Sequence, residues 1–200
     1  MGRRDLIHSL PVVAIALGHK YKVKVVIGGD QAKTDGDTII LPCLPPDNAD
    51  AAVLDYGYLD HEAGHVRLSN FECFANGQSP IERDLLNILE DIRIELRMSR
   101  LYPGCRSNLD RLTDKLVKDG VFPQLSERDG PISILHGYVL YRLRLEVLGQ
   151  RAFSALSSQA KCHFVRLFPE ALAERDTPIA GASLRTRVDP RESGIGPRDD

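Results

Sequence analysis

Apolar and polar positions divide the chain into helices around one short β unit. Over residues 5–18, Leu6, Leu10, Val13 and Leu17 recur at helical spacing; Pro11 predicts a kink or a helix start, and Gly18 a terminal cap. Tyr21 to Ile27 alternates apolar and basic residues, the period of a half-buried strand. Thr38 to Pro42 reads as a second strand after the turn Thr34-Asp35-Gly36-Asp37, and a hairpin is the economical pairing. Residues 51–69 predict a helix N-capped by Asn48 or Asp50. After a loop over 70–80, Ser79, Pro80 and Glu82 form a capping-box signature opening a helix that runs to about Leu101. Tyr102-Pro103-Gly104 ends it. Helical patterns follow over 106–119, over 131–148, where Ile134, Tyr138, Tyr141 and Leu145 recur, and over 151–175. From residue 175 large apolar side chains become rare, so 1–174 is expected to form one domain and 175–200 a disordered tail or linker.

The two central helices carry the chemistry. In Asp60-His61-Glu62-Ala63-Gly64-His65 the histidines are four apart, so on a helix they leave one face and can share a metal ion. Glu62 sits one position round, within reach of a proton on a metal-bound water: the H-E-x-x-H arrangement. On the next helix, Leu85, Ile88, Leu89, Ile92 and Leu96 predict a buried stripe, with Glu90, Arg93 and Arg97 on the solvent face. Asp91 and Glu95 fall at the border of that stripe, where a carboxylate needs a partner. Asp91 is therefore the expected third ligand, with Glu90 the alternative. Glu95, one turn on, is placed to hold the outer nitrogen of a ligand histidine. Tyr102 is a candidate, from position alone, for polarising a carbonyl or oxyanion. The bland alternative is an amphipathic helix with two exposed histidines. Against it stand Gly64, which admits a close neighbour, the acids on the second helix, and the two-stranded unit ahead of the motif.

Composition changes this picture little. The chain is 42% hydrophobic and 27% charged, ordinary for a domain that buries a core. A net charge of −2 gives no electrostatic case for nucleic acid. No apolar run is long enough to span a bilayer and the N-terminus has no signal-peptide core, so the cytoplasm is the expected location. Four scattered cysteines contain no C-x-x-C pair, leaving histidine and carboxylate to bind any zinc.

The order helix, β unit, H-E-x-x-H helix and acidic helix resembles the minimal gluzincin core, an α+β, mainly helical, zincin-like fold. In that core the second strand, here Thr38 to Pro42, borders the cleft and takes an extended peptide by strand addition. More narrowly, Asp60 to His65, Asn87 to Glu95 and Tyr102-Pro103-Gly104 resemble the N-terminal metallopeptidase-like domain of bacterial proteins related to the cobaltochelatase CobT subunit, over roughly residues 10–110. The resemblance implies a zinc-dependent peptidase acting on a peptide or protein substrate. Its expected partners are a MoxR-type AAA+ ATPase and a von Willebrand factor A protein. The rival expectation is a non-catalytic, metal-stabilised interaction module of a chelatase-like or ATPase-linked assembly. Glu62 favours the enzyme, since a purely structural zinc has no use for a base beside it. No D-x-S-x-S motif occurs, so the likeness does not extend to a von Willebrand factor A part.

Overall fold

The computed structural model describes residues 3–44, 50–74 and 79–173. Among these it is mainly helical α+β. The elements run α1 (Arg3–Gly18), β1 (Lys24–Gly29), β2 (Lys33–Thr34), β3 (Thr38–Pro42), α2 (Ala51–Leu68), α3 (Pro80–Leu101), α4 (Pro103–Lys118), α5 (Pro131–Glu146), α6 (Ser154–Leu167) and the single turn α7 (Glu170–Ala173). No helix of the described residues is long and apolar enough to cross a membrane.

The β unit is not the expected hairpin. The sheet order is β1-β3-β2, with β1 parallel to β3 and only the two-residue β2 antiparallel to it. The turn at Asp35 to Asp37 does make a tight reversal, pinned by the Asp35 carboxylate accepting from the amides of Asp37 and Thr38, but it joins β2 to β3. Thr38–Pro42 is thus the central strand, with β1 along one side and β2 covering Ile39 and Ile40 on the other. The strand expected to border a cleft is already paired on both sides over that stretch. Alternation in sequence reports a half-buried strand and says nothing about which neighbour it takes.

Two apolar cores flank the central helices. One joins Leu10 and Ala14 of α1 to Ile39 and Leu41 of β3 and to Leu59 and Ala63 of α2. The other joins Ile134, Tyr138 and Tyr141 of α5 to Phe153, Leu156, Ala160 and Phe164. Helix α1 runs through Pro11 and reverses at His19, whose φ is 50°. Gly18 is therefore not the left-handed residue; its hydrogen faces Val66 Cγ1, which would lie 3.0 Å from an added Cβ, so it sets how closely α1 meets α2.

Asp50 occupies the N-cap of α2 without a capping hydrogen bond and pairs with Lys115 at 3.4 Å; Asn48 lies outside the described residues, as does 175–200. Ser79 and Glu82 complete the capping box on α3. The buried side of α3 differs from the expected stripe. Ile92, Ile94, Glu95 and Met98 are buried, whereas Leu89 is 49% exposed. The cause is where the neighbours lie: Ile94 and Met98 pack on Gly64 of α2, and the first turns of α3 are largely exposed.

Candidate metal centre

Helix geometry brings His61 and His65 out on one side of α2, with ring centroids 4.9 Å apart. Close approach of α3 at Gly64 then sets Asp91 opposite both. Asp91 Oδ1 lies 3.2 Å from His65 Nε2 and 3.8 Å from His61 Nε2. His61, His65 and Asp91 form a group that can hold a metal ion, with one donor atom from each within 4.8 Å of the others. Three donors each about 2.1 Å from one tetrahedral ion would lie roughly 3.4 Å apart. The observed separations bracket that value.

The far side of each imidazole is tied as well. Glu95 Oε1 lies 3.0 Å from His61 Nδ1. Glu95 is buried and ionised, its carboxyl held down to about 2 although burial alone would raise it, because Arg144 and His61 stabilise the charge. An ionised carboxylate only accepts, so when His61 is neutral, as a metal ligand must be, its proton sits on Nδ1 and its Nε2 lone pair is on the Asp91 side.

His65 is fixed by a longer relay. Its Nδ1 lies 2.9 Å from Ser69 Oγ, and Ser69 donates to Glu90 Oε1 at 2.5 Å. Since Glu90 can only accept, Ser69 spends its proton there and takes one from His65 Nδ1, again freeing Nε2. Arg93 grips both oxygens of Glu90 and donates to the Leu68 carbonyl. Glu90 therefore stands behind His65 rather than beside its Nε2, and it is not on the solvent face that the helical wheel predicts. Sequence reasoning missed Ser69; the four-residue step from His65 was the available signal.

These surroundings favour positive charge. Burial pulls the His61 imidazole down, but the hydrogen bond and charge of Glu95, with Asp91 and Glu62, push it up to about 9. A place that holds a proton so firmly suits a cation, so the residues fit a divalent ion. In metal-free protein this predicts a pH-dependent stability. The folded pKa lies above the unfolded one, so the stabilisation is complete below about pH 6.5 and is lost as pH rises through 9, by up to roughly 3 kcal/mol. Thermal melts of the chelated protein should fall between pH 6.5 and 9.5; a flat profile would remove the proposed Glu95–His61 pairing.

Glu62 is 5% exposed. Burial pushes its carboxyl up, opposed by the charges of His61 and His65. Tyr102 is not brought to this group. Its hydroxyl accepts from Arg67 at 3.0 Å, and Arg67 also donates to the Leu17 carbonyl of α1. Tyr102 follows Asp91 by eleven residues, about 16 Å along α3, and Arg67 lies about 200° round α2 from His65. The tyrosine joins α3 to the α1 side of α2. Asp60 points the other way too: it is buried, accepts from Asn108 Nδ2 at 2.8 Å and so pins α4 to α2.

The profile of a family described as "Cobalamin biosynthesis protein CobT" matches residues 7–154, which include every residue of this centre. The chain belongs to the CobT family. This CobT-family chain is also similar to UDP-N-acetylmuramate--L-alanine ligase of Clostridium beijerinckii, 27% identical over 143 residues. That match takes in 72% of the chain and 29% of the ligase, so the chain spans under a third of that relative's length. No solved structure matches it.

Proposed function

We propose that the protein is a zinc-dependent peptidase in which His61, His65 and Asp91 hold the ion and Glu62 is the general base. When bound, zinc supplies Lewis acidity and brings the pKa of a ligated water toward about 7. Three protein ligands leave an open position, as catalytic sites do. The observation that carries the reading is Glu62. This buried carboxyl sits beside the two imidazoles, close enough for their charges to act on it, where a base for a ligated water is needed. Burial pushes its pKa up, which makes it the stronger base. Glu95 and the Ser69–Glu90–Arg93 relay hold the imidazoles in the ligating tautomer. Tyr102 has no part in this proposal.

The second reading, a metal-stabilised module of a chelatase-like or AAA+ ATPase-linked assembly, draws on the family description, which concerns cobalamin biosynthesis. Glu62→Gln separates the two. The zinc affinity of the variant should stay within about threefold of wild type, while release of new N-termini from unfolded casein falls by about a thousandfold or more. Equal turnover by wild type and variant would overturn the general-base role. Absence of cleavage by zinc-loaded wild type would favour the module.

A further inference from the structure

The helices after residue 130 share a second core with Phe122 and Leu125, and two side chains beside that core reach Glu95. Arg144, in the last turn of α5, is 7% exposed. Its Nη1 donates to Glu95 Oε2 at 3.3 Å and to Gln150 Oε1 at 3.0 Å, and its Nη2 donates to Glu95 Oε1 at 3.2 Å. Gln150, also buried, donates to Glu95 Oε2 at 3.2 Å. The guanidinium lies 5.7 Å from the Phe122 ring centroid and 5.6 Å from that of Phe153. Glu95 thus receives bonds from His61, Arg144 twice, and Gln150, which fills the roughly four acceptor positions of a carboxylate.

A buried ion pair is weak evidence for stability, because desolvation offsets most of the attraction. Here the arrangement also leaves Arg144 Nε buried without a hydrogen bond, a cost the fold retains. What the arrangement secures is the position of the oxygen that faces His61 Nδ1.

We infer that Arg144 and Gln150 are positioning residues of the metal centre, holding His61 through Glu95 so that its Nε2 faces the ion. The second core then sets metal affinity as well as stability. This rests on the reading of His61, His65 and Asp91 as a metal centre.

The test is a set of zinc dissociation constants, measured by competition with a chromophoric chelator, together with the visible absorption of the cobalt(II)-substituted protein. Arg144→Met keeps the stem between the two phenylalanines and removes the fork; it should weaken zinc about 10- to 100-fold and alter the cobalt bands. Arg144→Lys should recover part of the loss. Gln150→Met removes one bond of the four and should weaken zinc several-fold, and it carries the test if Arg144→Met does not fold. Tyr141→Phe, in the same core, breaks the bond from the hydroxyl to the Pro123 carbonyl without touching Glu95, and should leave zinc affinity unchanged. Unchanged affinity in the folded Arg144 and Gln150 variants, or an equal loss in Tyr141→Phe, would overturn the positioning role alone. A wild-type protein that takes up no zinc would overturn the metal centre itself.

Discussion

Stripping zinc from the loaded wild-type protein should lower its melting temperature by roughly 10 °C, and by under about 1 °C in His61→Ala/His65→Ala. The size follows from mass action. A ligand at a thousand times its dissociation constant stabilises the folded state by about 4 kcal/mol, and a domain of this length shifts about 2–4 °C per kcal/mol. The ion also relieves charge crowding. Glu62, Asp91 and Glu95 all act on His61, so a divalent cation replaces a single proton among three carboxylates. Differential scanning calorimetry with and without a chelator checks this. Equal chelator-induced shifts in both proteins would place the ion elsewhere.

Gly57→Ala should be the most damaging glycine-to-alanine change among the described residues packed against a helix. A Cβ at Gly57 would lie 2.5 Å from Leu112 Cβ, and a Cβ cannot rotate away. Either α4 moves outward or α2 bends, one turn before His61. Overpacking of this kind costs about 1–3 kcal/mol, so a fall of roughly 3–10 °C in melting temperature is expected. Because α4 is also pinned by Asn108 to Asp60, the shift is delivered next to the metal ligands. Gly64→Ala meets Met98 Cγ at 3.1 Å and Ile94 Cδ1 at 3.3 Å, a looser approach than at Gly57, and should cost less. Denaturant midpoints of the two variants rank them; a Gly57→Ala protein as stable as wild type would contradict the packing described at α2 and α4.

Local signals in the sequence were legible where the structure obeys local rules. The capping box at Ser79 and Glu82, the break at Tyr102-Pro103 and the four-residue step from His61 to His65 depend on residues within a turn or two of one another. Asp91 and Glu95 were legible as acids beside a buried face, even though the face itself lies elsewhere than the wheel of leucines predicts. What was not legible depends on distant partners. The parallel pairing of β1 with β3 and the exposure of Leu89 follow from which elements lie alongside. Arg144 meets Glu95 across 49 residues of sequence. A hint existed, since Arg144 follows Tyr141 by three positions and so falls on the apolar stripe of α5, where a charge requires a partner. Nothing local named Glu95 as that partner. Ser69 was hidden differently: it stands four residues from His65, but a serine after a helix reads as an ordinary terminus, and its contact with Glu90 is what shows the relay.

X-ray absorption at the zinc edge of the loaded protein tests the proposed centre most directly. Two imidazole nitrogens and light oxygen donors at about 2.0–2.1 Å are expected, with no sulfur at about 2.3 Å, and His65→Ala should lose one imidazole contribution. A sulfur shell, or an unchanged spectrum in His65→Ala, would contradict a centre built from His61, His65 and Asp91.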